Sequence, residues 1–78
     1  MMSELYEKLK IKYADQIESL STIGPAEIAI TLKPNTDERA FSQELQNQLV
    51  ELIDHQTIIK IDILNSHNEV VDSFATNQ

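Results

Sequence analysis

Two short runs of alternating residues enclose a longer amphipathic segment in the second half of the chain. In residues 27–33 every second residue is a large aliphatic one, and residues 57–64 alternate three isoleucines with Lys60 and Asp62. A period of two with β-branched enrichment predicts a strand in each run. A strand, helix, strand order restricts the fold, because such a crossover is right-handed in nearly all proteins and places its helix on one face of the sheet.

The segment between the two strands predicts a helix over residues 37–54. Asn35 or Thr36 can cap its start, and Glu38 lies three residues after Asn35, as in a capping box. Its apolar residues follow helical spacing and form one stripe: Ala40, Phe41, Leu45, Leu49, Leu52 and Ile53. This spacing predicts a helix with one side to bury.

An earlier helix is predicted over residues 3–21. Its apolar residues recur at spacings of four, four, four and three, which places them on one helical face: Leu5, Leu9, Tyr13, Ile17 and Leu20. Gly24 suits a left-handed C-terminal cap, and Pro25 cannot continue a helix, so the pair predicts where this helix has ended.

A return strand is predicted over residues 69–75, after turn-forming residues at 65–68. Its alternation is imperfect, because strict alternation puts Val70 and Phe74 on the same face as Asp72. A bulge or a short edge strand is therefore expected here.

These elements predict a single α+β domain over residues 1–78 with the order α-β-α-β-β. The expected architecture is a two-layer α/β sandwich, with two helices on one face of a three-stranded sheet. Two strand orders stay open: 1-3-2 with antiparallel neighbours, or 1-2-3 with a parallel first pair. The uncovered sheet face is partly apolar and the edges are open, so we expect a homodimer.

The chain is strongly acidic, with a formal net charge of −7 and an isoelectric point near 4.5. Residues 25–78 carry nine acidic residues against three basic ones. A phosphate backbone would repel such a surface, so we expect no direct nucleic-acid binding. No export signal or membrane span is recognisable in the sequence, and we expect a cytoplasmic protein without membrane contact.

The chain lacks the residues that several kinds of functional site require. The chain has no cysteine, and its single glycine excludes glycine-rich phosphate-binding loops, so no nucleotide cofactor is expected. His55 lies at a predicted helix end and His67 in a turn, and no spacing joins them to acids such as Glu69 in a metal site. We therefore expect no metal, no cofactor, no catalytic residue and no enzymatic activity.

One charged pattern remains. Asp37, Glu44 and Glu51 recur every seven residues and define an acidic stripe along the outer side of the second predicted helix. The stripe is either a solvated helix face or the binding site for a basic partner. The leading hypothesis is a small non-enzymatic protein-binding module that acts as a regulator, inhibitor or accessory subunit. It would bind another protein through either the acidic second helix, which suits a basic partner, or an exposed strand edge. The alternative is an inhibitor that mimics nucleic acid and blocks a DNA-binding protein.

Overall fold

The computed structural model describes residues 2–52 and 58–76. It contains two helices and four strands in the order α-β-β-α-β-β. Their bounds are α1 Met2–Lys12, β1 Ile17–Thr22, β2 Glu27–Leu32, α2 Glu38–Leu52, β3 Lys60–Leu64 and β4 Val70–Ala75. The α+β class is confirmed, and the described part of the chain has one strand more than predicted.

The four strands form one mixed sheet in the order β1-β2-β3-β4. The hairpins β1–β2 and β3–β4 are antiparallel, whereas β2 and β3 are parallel and joined through α2. Of the two strand orders left open, the one with a parallel first pair is therefore present. It is extended by β1 on the far side of β2.

The predicted helix over residues 3–21 is wrong in its second half. The helix ends at Lys12, and residues 17–22 form β1 instead. Ser19, Ser21 and Thr22 have low intrinsic helix propensity, so little local energy opposes the extended conformation. Pairing with β2 decides the outcome, since β1 covers an edge that would otherwise expose the amides and carbonyls of β2.

A bulge explains why the sequence spacing resembles a helix in this region. Ile17 pairs with Leu32 and Leu20 pairs with Ile30, and the register shifts between Ile17 and Ser19. The extra residue at the bulge brings Ile17 and Leu20, three apart, to the same face of a strand. A spacing of three is thus compatible with either a helix or a bulged strand.

Gly24 has a positive φ of 70° and lies in the turn between β1 and β2. The Ile23 amide donates to the Glu27 carbonyl at 2.7 Å and closes this hairpin. The feature interpreted as a helix cap is therefore a hairpin turn. Both structures need a left-handed residue, which glycine adopts without steric cost.

The remaining predicted elements are present, with shorter bounds. The strand predicted over 27–33 is β2, the helix over 37–54 is α2, and the strands over 57–64 and 69–75 are β3 and β4. Two of these predictions extend into residues 53–57, which lie outside the described residues. They are the end of the helix predicted over 37–54 and the first residue of the strand predicted over 57–64.

The hydrophobic core lies between one face of the sheet and both helices. Ile28, Ile30 and Leu32 share that sheet face, and Leu9 of α1 and Phe41 of α2 belong to the same buried cluster. Both helices therefore pack on one side of the sheet, as a two-layer arrangement requires. We call the uncovered side the open sheet face; its central residues include Glu27, Ala29, Thr31, Lys60, Asp62, Leu64, Ser73 and Ala75.

Within the described ranges, neither helix is long and apolar enough to span a bilayer.

Candidate functional site

The acidic stripe is present on the surface. Asp37 precedes the first turn of α2, where its Oδ1 accepts a hydrogen bond from the Ala40 amide at 3.0 Å and caps the helix. Glu44 and Glu51 are exposed on α2 itself, two turns apart. In the described part of the chain, no basic side chain forms an ion pair with any of the three. Their negative charge is therefore available to a partner.

Helix α1 and Tyr13, which follows it, contact α2. Lys8 Nζ donates to the Leu52 carbonyl at 3.2 Å and caps the C-terminal end of α2. Tyr13 packs edge-on against Phe41 at a ring-centroid distance of 5.1 Å. Burial raises the pKa of the Tyr13 hydroxyl above 10.0, and the negative charge of Glu44 raises it further.

The histidines do not form a site among the described residues. His67 is exposed in the β3–β4 turn, where its backbone amide donates to Asn65 Oδ1 at 2.8 Å. His55 lies outside the described residues. No group of three or more acidic, histidine or cysteine side chains that could hold a metal ion comes together within residues 2–52 and 58–76.

A cleft of about 480 Å³, which was not predicted from the sequence, lies between α2 and β4. Its floor is Ser42, which is only 3% exposed. The walls carry charged and amide side chains with one aliphatic residue: Glu38, Arg39, Gln43, Gln46, Val71 and Asp72. We call this feature the α2/β4 cleft.

A hydrogen-bonded network forms the bottom of the α2/β4 cleft. The Ser42 hydroxyl donates to Asp72 Oδ2 and accepts a hydrogen bond from Gln46 Nε2 at 3.2 Å. The second oxygen of Asp72, Oδ1, accepts from the Ser73 backbone amide at 2.9 Å. The carboxylate is thereby held in one orientation from two sides.

The β4 bulge places Asp72 in this cleft. Ile63 pairs with Asp72 and Leu64 pairs with Val70, so Val71 is the extra residue. The bulge turns Val70 to the open sheet face and leaves Asp72 on the same side as Phe74, towards α2. The sequence did predict a bulge or an edge strand here. It did not show which residue of α2 would meet Asp72.

A second polar cluster lies on the open sheet face. Lys60 Nζ is 3.9 Å from Glu27 Oε2 and 3.9 Å from Asp62 Oδ1, and Ser73 Oγ donates to Asp62 Oδ1 at 2.7 Å. The hydrogen bond to Asp62 raises the pKa of Glu27 above 4.5. Burial opposes ionisation of Asp62, yet hydrogen bonds from Glu27 and Ser73 and the charge of Lys60 hold its pKa below 3.8. Of the two carboxyl groups, Glu27 therefore holds a proton more readily than Asp62 does.

Both outer strands carry features that hinder pairing with another strand. Each contains a bulge, at residues 17–19 of β1 and at Val71 of β4. The Tyr6 hydroxyl donates to the Leu20 carbonyl of β1 at 3.4 Å, and the Ser73 amide of β4 is bonded to the Asp72 side chain. Bulges and locally satisfied backbone groups are common protections of sheet edges.

A smaller groove of about 310 Å³ lies between α1 and β1, lined mainly by Tyr6, Lys10, Ile17 and Leu20. It has no hydrogen-bonded network of buried polar side chains comparable to that of the α2/β4 cleft.

Comparison with known proteins returns no match: no protein-family model, no curated protein and no solved structure matches the chain. The function proposed below is therefore derived from the residues and their geometry.

Proposed function

We propose that the protein is a small non-enzymatic binding module that recognises a basic surface of another protein through the acidic stripe Asp37, Glu44 and Glu51. Its role would be that of a regulator, inhibitor or accessory subunit. The observation that carries the proposal is the exposed negative charge of the stripe, which has no ion-pair partner within the described ranges.

The spacing of the stripe suits a partner with separated basic side chains. Seven residues of helix rise about 10 Å, so consecutive acids lie slightly more than one Debye length apart at physiological salt, roughly 8 Å. Each acid then interacts with its own cation, largely independently of the others. Exposed charge pairs contribute about 0.2–1 kcal/mol each, and they speed association more than they tighten it.

Nucleic-acid mimicry is the less well supported alternative. Successive phosphates along one strand are separated by roughly 6–7 Å, closer than the stripe's acids at about 10 Å. Mimicry would therefore need further acids, such as Glu69 and Asp72, or a second copy of the chain to fill the gaps.

Self-association through the open sheet face is a second element of the proposal. The cluster of Glu27, Lys60 and Asp62 balances much of its own charge, so this face opposes pairing less than the acidic surface of α2 does. Ala29 and Thr31 are half-buried residues of low bulk on the same face. Because both edges are protected, face-to-face packing is favoured over edge pairing for a homodimer.

The test compares two variants of equal charge. Asp37→Asn, Glu44→Gln and Glu51→Gln together neutralise the stripe, and asparagine still caps α2. The matched control, Glu7→Gln, Asp15→Asn and Glu18→Gln, removes three exposed acids elsewhere. A partner is captured from host lysate with the wild-type chain, and its affinity for each variant is titrated at low and high salt.

We expect the stripe variant to bind about tenfold more weakly, the control to bind within about twofold of wild type, and the difference to shrink at high salt. An equal loss of affinity in both variants would show that net charge, and not the position of the stripe, governs binding. A salt-insensitive complex that tolerates the stripe variant would refute the proposed site. A basic DNA-binding partner released by competing DNA would support mimicry instead.

A further inference from the structure

We propose that the α2/β4 cleft binds one basic side chain, lysine or arginine, presented by a peptide segment of the partner. This inference rests on the proposed function, because it names the place where a cationic group of the partner is held. The cleft is separate from the acidic stripe and is built from different side chains of α2.

Polar residues occupy two positions on the core-facing sides of α2 and β4. Ser42 is buried on the side of α2 that also carries Leu45 and Leu49, and Asp72 lies on the helix-facing side of β4 next to Phe74. Aliphatic residues at both positions would pack without any need for hydrogen bonds. Burying the Ser42 hydroxyl and half-burying the Asp72 carboxylate carry a desolvation cost, so a polar pair here indicates a use other than packing.

The Asp72 carboxylate has unused hydrogen-bonding capacity. An ionised carboxylate offers about four acceptor positions. The described structure uses two of them, one for the Ser42 hydroxyl and one for the Ser73 amide. No basic side chain forms an ion pair with Asp72 among residues 2–52 and 58–76, although Arg39 lines the same cleft. A half-buried carboxylate without a counter-ion favours a cationic ligand.

The walls of the cleft carry groups that suit a long basic side chain. Gln46 donates one amide hydrogen to Ser42, which leaves its carbonyl oxygen free to accept from an ammonium or guanidinium group. Glu38 adds a second carboxylate, and Val71 offers an apolar contact for the aliphatic stem of a long basic side chain. Arg39 and Gln43 at the wall can donate to backbone carbonyls of the bound segment. The volume of about 480 Å³ lies within the range of ligand sites.

The edge of β4 does not favour binding of the peptide as an added strand. Strand addition to β4 would require free backbone groups at its edge, but the Ser73 amide is bonded to Asp72 Oδ1 and Val71 is bulged. The edge is therefore a poor template for an added strand. Recognition through a side chain inserted into the α2/β4 cleft does not need that edge.

The experiment titrates the folded, ¹⁵N-labelled chain with N-acetyl-argininamide and N-acetyl-lysinamide, followed by amide chemical shifts. The matched control ligand is N-acetyl-norleucinamide, which keeps the aliphatic stem and lacks the charge. We expect saturable shifts confined to residues 38–46 and 70–74 with the two basic ligands, and none with the neutral one.

Asp72→Asn and Glu38→Gln are the test variants, and the pair Glu44→Gln with Glu51→Gln is the control. Asparagine at 72 can still bond Ser42 and the Ser73 amide, and Glu38 is a rim residue, so at least one variant is expected to keep the wild-type spectrum. We expect Asp72→Asn to weaken binding at least tenfold, Glu38→Gln to weaken it severalfold, and the stripe pair to change it less than twofold.

Shifts centred on Glu44 and Glu51, or unchanged affinity in a folded Asp72→Asn or Glu38→Gln variant, would overturn the proposed cleft site. Its failure is distinguishable from failure of the proposed function. The small ligands report on the cleft without any partner protein, whereas capture and titration of the partner report on the stripe.

Discussion

Replacing Ser19 and Ser21 together, by either threonine or alanine, distinguishes a strand from a helix over residues 17–22. Both side chains are exposed, and they pair with Thr31 and Ala29 of β2, so neither replacement disturbs the core. Alanine is the best helix former, whereas threonine is among the weaker ones and favours strands. The two double variants therefore respond with opposite signs in the two structures.

The size of the effect follows from β1 being an exposed edge strand. Strand propensities span about 1 kcal/mol in a host protein, and we take roughly half of that for each site at an exposed edge. Threonine at 19 also faces Thr31, and such cross-strand pairs contribute about 0.2–1 kcal/mol. The threonine variant should exceed the alanine variant by about 1 kcal/mol, or roughly 4–8 °C in melting temperature for a domain of this size.

Circular dichroism during thermal and urea unfolding measures the difference. Asn47, exposed in the middle of α2, supplies the control, since Asn47→Ala should be more stable than Asn47→Thr by about half a kcal/mol. If the alanine variant at 19 and 21 is instead the more stable one by about 1 kcal/mol, as the helix propensities require, residues 17–22 are helical. The strand β1, and the sheet order that depends on it, would then be refuted.

Two further predictions concern the open sheet face. The raised pKa of Glu27 means that the folded state favours its protonated form, so this contribution to stability is present below pH 4.5 and is lost as the pH rises through the raised value. The Glu27→Gln variant should therefore have a higher free energy of unfolding than wild type at pH 7, measured by urea unfolding. The difference should disappear towards about pH 4, below the unfolded-state pKa. A difference that stays constant between pH 7 and pH 4 would contradict the pairing of the two carboxyl groups. Light scattering at micromolar concentration should give about twice the 8.9 kDa monomer mass, and Thr31→Arg should return the mass to that of a monomer. A wild-type mass of one chain would refute face-to-face dimerisation, and a Thr31→Arg dimer would move the interface elsewhere.

Much of the fold was predictable because local pattern and tertiary environment agree. Residues 27–32 and 60–64 alternate with a period of two, and they lie beside each other in the sheet with Ile28 against Ile61 and Ile30 against Ile63. The stripe of Phe41, Leu45 and Leu49 faces the core as its helical spacing predicts. In these elements no competing interaction opposes the local preference.

Residues 17–22 could not be assigned from spacing alone. The bulge near Glu18 gives Ile17 and Leu20 a shared face at a separation of three, which a helix also produces. What favours a strand over a helix here is the edge that β2 would leave unpaired if residues 17–22 were helical. The local spacing of apolar residues carries no information about that edge. A backbone requirement of the neighbouring strand therefore overrides a local pattern.

Of the two candidate sites, one could be predicted from the sequence and the other could not. The acidic stripe depends only on the period of one helix, so the exposure of Glu44 and Glu51 could be predicted from their spacing. The α2/β4 cleft needs Ser42 and Asp72, thirty residues apart, to meet across the layer. Their meeting depends on a bulge and on the strand order, and neither residue carries a local signal of its partner.

The amino-acid sequence by itself determined the helix α2, three strands and the acidic net charge, because these follow from period, propensity and composition. The tertiary structure alone decided that β1 is a strand, that Glu27 and Asp62 meet beside Lys60, and that a polar cleft opens between α2 and β4. Each of these depends on which strand edges and side chains meet, and such contacts form only when the strands pair and the layers pack.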